Sequence, residues 1–173
     1  MFEVSVGLIL VILLILLAEF VNGWTDAPNA VATVISTRVL KPVRAVIMAS
    51  LLNLAGVLLA GTAVAATIGK GIVDPEMVDL TTIGSAMVGI IIFSTMAWYF
   101  GLPTSESHAL VSGLAGAALA KGGLQTLLWL GWKKVLLGLV FSTFLGFGAG
   151  FLLMVAIYRL FQHVPLGRIR ALF

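Results

Sequence analysis

Long apolar segments dominate this sequence and limit what it can fold into. Several approach the roughly 20 residues that an α-helix needs to cross a bilayer, and the first runs from Leu8 to Ala18 with almost no polar side chain. Hydrophobic residues make up 61% of the 173 positions and charged residues only 10%, against about 25% charged in an ordinary soluble domain. The segments lack the alternating pattern of outer-membrane β-strands. We therefore predict an all-α, polytopic integral membrane protein.

Short polar stretches divide the chain into about five membrane-crossing segments, which we interpret as one repeat unit covering residues 1–173. We expect the first segment to remain in the mature protein, since Glu3 stands where a secretory signal would be positive and no small-residue cleavage site follows. The predicted segments are a broken helix over 4–38, helices over 45–68 and 81–100, a short helix or re-entrant hairpin over 105–132, a helix over 134–160 and a basic tail over 161–173.

The positions of Lys and Arg predict the orientation of these segments. Five crossings place six of the ten basic residues on one side and four on the other. Cytoplasmic loops carry the excess, so the N-terminus is expected outside and the C-terminus inside a prokaryotic plasma membrane. A re-entrant hairpin over 105–132 would change the number of crossings from odd to even, and with it this orientation. The six residues are Arg38, Lys41, Arg44, Arg159, Arg168 and Arg170.

A polar stretch from Asn22 to Ala30 interrupts the first apolar segment. It contains Gly23 and Pro28, and proline suits the first turn of a helix, where its missing N–H costs nothing. We therefore expect the helix to break here and a second half-helix to begin near Asp26. Because lipid offers no hydrogen-bond partner, an unwound backbone at this depth must be satisfied by protein, water or ligand. Such a break predicts a binding site.

Asp26 and Asn29 lie three residues apart, and Thr33 follows one turn later on the same helix face. Their carboxylate, amide and hydroxyl oxygens suit Na⁺, or a proton on the carboxylate. The alternative is ordinary helix capping, which also favours these residue types. Glu19 either joins this ion site or extends toward the membrane interface. We favour the ion site, because an ionisable group at membrane depth is usually functional.

A second polar stretch, Gly101 to His108, precedes a short helix rich in Ala and Gly. Free amides and hydroxyls at a helix start form an anion site, here one for a tetrahedral oxyanion. Glu106 would repel such an anion unless it points away, holds a cation or shares a proton, for instance with His108. The alternative is a solvated loop with an ordinary cap. The hydroxyl donors are Thr104, Ser105 and Ser107.

Several classes of chemistry are excluded. The chain has no cysteine, which removes disulfides, thiolate metal sites and thiol catalysis. The Ser, Glu and His side chains of 105–108 are too close along one helix start to assemble a nucleophilic triad. A phosphate-binding loop for ATP is missing, and the basic residues are too scattered for a nucleic-acid surface. We expect a secondary transporter rather than an enzyme, with no cofactor beyond Na⁺ as coupling ion.

The two polar stretches resemble the inorganic phosphate transporter (PiT) family, cation-coupled symporters of phosphate with relatives that carry sulfate. The family signature Gly-x-Asn-Asp-x-x-Asn-Ala is similar to residues 23–30, with Thr25 in place of Asn. The family signature Pro-Val-Ser-Thr-Thr-His is similar to residues 103–108, with Glu106 in place of Thr. The resemblance covers the chain from about 15 to 120.

The resemblance implies that Asp26 and Asn29 help to bind the coupling cation and phosphate, and that Ser105 and Ser107 hold phosphate oxygens. With the reasoning above, this assigns substrate binding to Thr25, Asn29, Thr104, Ser105 and Ser107, the coupling ion to Asp26, Asn29, Thr33 and Glu106, and a proton relay to His108 and Glu19. If sodium is the coupling ion, Asp26 and Asn29 are its ligands.

Family members typically carry two such units as inverted repeats, whereas this chain shows one and no second Gly-x-Asn-Asp after residue 120. The resemblance therefore implies a half-transporter, embedded in membrane lipid, that moves phosphate with Na⁺ or H⁺ and pairs with a second copy or a separate second half. The alternatives are a permease of the same fold for sulfate or another oxyanion, and a non-transporting membrane subunit.

Overall fold

The computed structural model describes residues 5–60 and 71–164. Four helices of this part are long and apolar enough to span a membrane, whereas the fourth in chain order has only 17 residues. The predicted all-α, polytopic class is confirmed. The helices are α1 (Val6–Ser36), α2 (Pro42–Ala60), α3 (Leu80–Tyr99), α4 (Glu106–Gly122) and α5 (Trp129–Phe161), with short 3₁₀ turns at Pro75–Met77 and Leu124–Thr126.

Helix α1 continues through the polar stretch 22–30, so the predicted break in the first segment is wrong. Pro28 lies inside the helix and removes one backbone bond, the one that the carbonyl of Trp24 would accept. Thr25 reinforces the turn before it, since its hydroxyl donates to the Val21 carbonyl at 3.0 Å. Proline is tolerated in membrane helices because surrounding groups satisfy the freed backbone. The polar side chains thus project from an intact helix.

A tight turn over 37–41 returns the chain into α2. Arg38 adopts a left-handed conformation at φ 59°, and the amide of Val39 donates to the Val34 carbonyl at 3.0 Å. Helix α2 then runs antiparallel to α1, with Val46 near the end of α1 and Val57 near Gly23. The predicted helix 45–68 is described only as far as residue 60, and its remainder lies outside the described residues.

Helices α3 and α4 form an antiparallel hairpin connected by residues 100–105, the second polar stretch of the sequence. The hairpin is tightly packed, because a Cβ on Gly113 would lie 3.2 Å from the Ala86 carbonyl oxygen. Helix α3 lies alongside α1 in the same direction, with Gly84 against Val11 near their starts. The core between these helices is made of small and aliphatic residues that include Ala18, Ala86, Met87, Ile90, Val111, Leu114 and Ala118.

The end of the hairpin opposite the connection 100–105 is closed by two short segments, 71–79 and 121–128. The amide of Asp74 donates to the Thr126 carbonyl at 2.8 Å, and that of Leu128 donates to the Ile72 carbonyl at 3.1 Å. These bonds bring the starts of α3 and α5 to the same end of the molecule as the end of α4. The connection 100–105 lies at the other end of the hairpin, beside the second half of α1.

Helix α5 leaves this end at Trp129, earlier than the predicted start at 134. A Cβ on Gly131 would collide with the carbonyl oxygen of Gly71, so the two backbones meet directly. Beyond Val135, which packs on the core, nearly every side chain of α5 is exposed. The predicted tail 161–173 is described only to residue 164.

Candidate functional site

A cavity of about 830 Å³ lies between α1, α2 and the connection 100–105. The two polar stretches, far apart along the chain, meet at this cavity. Its polar lining consists of Glu19, Asn22, Asp26 and Asn29 from α1, Ser50 and Asn53 from α2, and Thr104 and Ser105 from the connection.

The α1 side of the cavity is acidic. Its four polar residues follow the spacing i, i+3, i+7, i+10, which places them on one face of an unbroken helix. The amide of Asn29 donates to a carboxylate oxygen of Asp26 at 3.4 Å. Glu19 and Asp26 are close enough to Glu106 that their charges act on it. This side offers several oxygen ligands and negative charge to a cation.

The opposite side of the cavity is formed by Thr104 and Ser105, directly before the start of α4. Ser105 is the residue before the helix, and its hydroxyl makes no capping hydrogen bond. Its carbonyl accepts from the Ala109 amide at 3.0 Å. In the described part of the chain, the amides of residues 106–108 donate to no backbone carbonyl outside the helix. Free amides, free hydroxyls and the positive end of the helix dipole together suit an anion.

One comparison decides the family. The sequence pattern of the phosphate transporter family matches residues 22–171 of this chain. The chain belongs to the phosphate transporter family. The resemblance that the two polar stretches suggested is therefore confirmed, and the match covers both stretches.

Two similar proteins come from bacteria. This chain is 42% identical over 160 residues to a protein of Rhizobium meliloti named a probable low-affinity inorganic phosphate transporter. The aligned residues cover 92% of this chain and 47% of the relative. A protein of Bacillus subtilis with the same name is 37% identical, covering 93% of this chain and 50% of the relative. The chain thus spans about half the length of these two relatives. No solved structure matches it at a significant level.

Five of the residues predicted for the site of this family member do line the cavity. They are Glu19, Asp26, Asn29, Thr104 and Ser105.

The other predicted residues lie elsewhere. Thr25 is buried and its hydroxyl is used within α1, although it lines a neighbouring cavity of about 370 Å³ with Asn29 and Thr104. Thr33 and Ser107 are exposed and outside the main cavity. His108 lines a third cavity on the far side of the connection. Glu106 turns toward α3, where its carboxylate accepts a hydrogen bond from Ser94 at 3.0 Å.

Sequence reasoning missed the contribution of α2. Asn53 of α2 lines the cavity together with Ser50. Their spacing of three residues, continued by Val46, Ala49 and Val57, is a helical face that was readable in the sequence. No helix break marks this face, because α2 is continuous over Pro42–Ala60.

Two tryptophans connect the polar stretches beside the cavity. The rings of Trp24 on α1 and Trp98 at the end of α3 stack edge to face, with centroids 4.7 Å apart. Such a pair contributes about 1 kcal/mol beyond its buried area. It holds the connection 100–105 against α1.

The cation ligands are few. Among the residues that the structure describes, no group of three His, Cys, Asp or Glu side chains could hold a metal ion. Asp26 and Asn29 supply two oxygens from neighbouring turns of one helix, and Glu19 lines the same cavity. Such an arrangement suits a weakly held cation better than a tightly held structural metal.

Proposed function

We propose that this chain is one half of a cation-coupled inorganic phosphate transporter. One observation carries the proposal: Thr104 and Ser105, the two hydroxyl residues directly before α4, line the same cavity as Glu19 and Asp26 of α1. A site with an anion-binding side and a cation-binding side is what cotransport requires. The names of the bacterial relatives support phosphate as the anion. The chain then acts as a secondary transporter and not as an enzyme.

Within this proposal the residues divide by charge. Thr104 and Ser105, with the first amides of α4, hold the phosphate oxygens, and Asn29 completes the contact from α1. Asp26 and Glu19 bind the cation, Na⁺ or a proton. Thr25, Thr33, Ser107 and His108 do not reach the main cavity in this conformation, so we give them no direct contact with either ion.

Electrostatics explains why the two ions would move together. Two unit charges of the same sign 4 Å apart repel by about 4 kcal/mol at the effective dielectric constant of a protein surface. Phosphate beside Asp26 and Glu19 would experience repulsion of this order. A cation on the carboxylates removes it, so phosphate binds well only when the cation is present. Coupling thus follows from the composition of the cavity.

A second half would complete the transporter. The chain spans about half the length of its first relatives, and transporters with repeated units bind substrate between the repeats and rock them to alternate access. We propose that either a second copy of this chain or a separately encoded half packs on this unit. Each unit then contributes one pair of polar stretches to the shared pathway.

We further propose that the N-terminus faces outward and the C-terminus inward in a prokaryotic plasma membrane. The count of basic residues assumes that the segments 71–79 and 121–128 lie on the same side of the membrane. The contact between them supports this assumption, since it holds both segments at one end of the molecule. The turn over 37–41, with Arg38, Lys41 and nearby Arg44, lies at the opposite end of α1.

Uptake of labelled phosphate into liposomes tests the proposal. Wild-type protein should accumulate phosphate only with a cation gradient, and Asp26→Asn should lower this uptake at least about tenfold, since one lost charge contact exceeds ~1.4 kcal/mol. Asp74→Asn is the matched control. Asp74 accepts a hydrogen bond from the Glu76 amide at 3.1 Å in a loop far from the cavity, so uptake should be retained.

Three results would contradict parts of the proposal. Full uptake by Asp26→Asn would remove that residue from the ion site. Uptake of sulfate in preference to phosphate would make the chain an oxyanion permease of the same fold. A protein that carries neither anion, with or without a second half, would be a non-transporting membrane subunit.

A further inference from the structure

Ser94 makes a contact that the proposed function does not use. It is fully buried in the last third of α3, and its hydroxyl donates to a carboxylate oxygen of Glu106 on α4 at 3.0 Å. The hydroxyls of Ser50 and Ser142 bond within their own helices, to the Val46 and Leu139 carbonyls respectively. Ser94 instead donates across a helix interface to a charged group.

The position of Glu106 makes this contact important. Glu106 is the first residue of α4 and follows Ser105 directly. A carboxylate in the first turn of a helix is attracted to the free amides at that end. These are the groups that would hold phosphate, so a freely rotating Glu106 would compete with the anion for its own site. In the structure Glu106 does not line the cavity.

Three side chains act on Glu106 from the helices around it. The negative charges of Asp26 and Glu19 on α1 repel its carboxylate, and Ser94 holds it from α3. While the cavity is empty of cations, the two carboxylates also keep Glu106 away. Once a cation neutralises them, that repulsion ends. Ser94 is then the remaining contact that keeps the carboxylate off the anion site.

We propose that Ser94 is a positioning residue that holds the Glu106 carboxylate against α3 and so leaves the start of α4 free for phosphate. The inference rests on the proposed phosphate site. It concerns a residue outside the cavity, which acts only through Glu106.

Equilibrium binding of labelled phosphate to the purified protein, at saturating coupling cation, tests this role. Ser94→Ala should weaken phosphate binding about tenfold, which is the scale of a lost hydrogen bond to a charged group. The same substitution in a Glu106→Gln background should change binding little, because an amide carries no charge to compete with phosphate. Ser142→Ala is the matched control and should bind like wild type.

The outcomes separate this inference from the proposed function. Unchanged binding by Ser94→Ala overturns the inference. An equal loss in both backgrounds also overturns it, because the effect would then be one of packing. If wild-type protein binds no phosphate, the proposed function fails. A double-mutant cycle on thermal unfolding then tests the hydrogen bond between Ser94 and Glu106 by itself. Zero coupling energy between the two residues would overturn this contact as well.

Discussion

At the scale of single residues, Asp79 stabilises the end of the α3–α4 hairpin that lies opposite the connection 100–105. One carboxylate oxygen lies 2.7 Å from the Lys121 ammonium nitrogen, and the other accepts from the Thr82 amide at 2.9 Å and its hydroxyl at 2.8 Å. The bond from Lys121, followed by those from Thr82, holds the pKa of Asp79 well below its usual range. The residue thus joins the start of α3 to the end of α4.

The lowered pKa of Asp79 predicts a dependence of stability on pH. A carboxylate with a depressed folded-state pKa stabilises the fold above its ordinary pKa of about 4, and this contribution is lost as pH falls toward the folded value. Lys121→Met should raise the pKa of Asp79 and reduce the unfolding temperature at neutral pH more than at acid pH. Thermal unfolding across this pH range measures the effect.

The control for this experiment is Lys134→Met, which removes an exposed charge near the same end of the molecule. In the described part of the chain, the ion pair of Lys121 is the one close contact of this kind, so the control should show no added pH dependence. The same loss in both variants would mean that general charge, and not the Asp79 pair, stabilises this end.

Asn53 provides a second prediction at this scale, because it lines the cavity from α2. Asn53→Ala should lower phosphate uptake roughly fivefold, the equivalent of about 1 kcal/mol for one hydrogen bond. Leu54→Ala changes the next residue, which is exposed outside the cavity, and should leave uptake intact. Equal uptake by both variants would confine the functional surface to α1 and the connection 100–105.

At the scale of elements, the start of α5 depends on a contact between two glycine backbones. A Cβ on Gly131 would collide with the Gly71 carbonyl oxygen, whereas one on Gly138 would meet nothing within 4 Å. Gly131→Ala should therefore destabilise the protein by about 1–3 kcal/mol, the usual cost of overpacking. Gly138→Ala should be neutral or stabilising, since alanine favours helix by about 1 kcal/mol.

Thermal unfolding of both glycine variants in one detergent gives the comparison. The expected order of unfolding temperatures is Gly131→Ala lowest, with Gly138→Ala at or above wild type. Equal temperatures would show that α5 shifts freely at its start, and that the contact between 71–73 and 127–131 does not hold it.

The elements also show what could be predicted. The second polar stretch was correctly placed between two helices, because Gly101, at φ 68°, and Pro103 both disfavour a continuous helix. The prediction for the first stretch is wrong. Pro28 favours the start of a half-helix, but Glu19, Asn22, Asp26 and Asn29 have the spacing of one continuous helix. That periodicity outweighs a single proline when packing supports the helix.

At the scale of the whole molecule, the orientation in the membrane can be measured by labelling. The chain has no native cysteine, so Val39→Cys and Gln125→Cys each introduce one reactive thiol, both at exposed positions at opposite ends. The excess of basic residues near the turn 37–41 predicts a cytoplasmic location. An impermeant maleimide should therefore label Gln125→Cys in intact cells, and Val39→Cys only after permeabilisation.

Two other labelling results have definite meanings. Labelling of Val39→Cys alone would reverse the proposed orientation. Labelling of roughly half the molecules at both positions would show that copies of this chain insert in both directions, which is how identical units could mimic an inverted repeat.

The sequence by itself determined the membrane class, the family and the two polar stretches, because these follow from composition and local order. Only the tertiary structure decided which polar residues share a cavity. Thr33 and Ser107 have suitable chemistry but point elsewhere, Asn53 enters from another helix, and Ser94 meets Glu106 across an interface. These relations depend on the rotation of each packed helix about its axis. That rotation is set by contacts such as Gly113 against Ala86, which join residues distant in sequence.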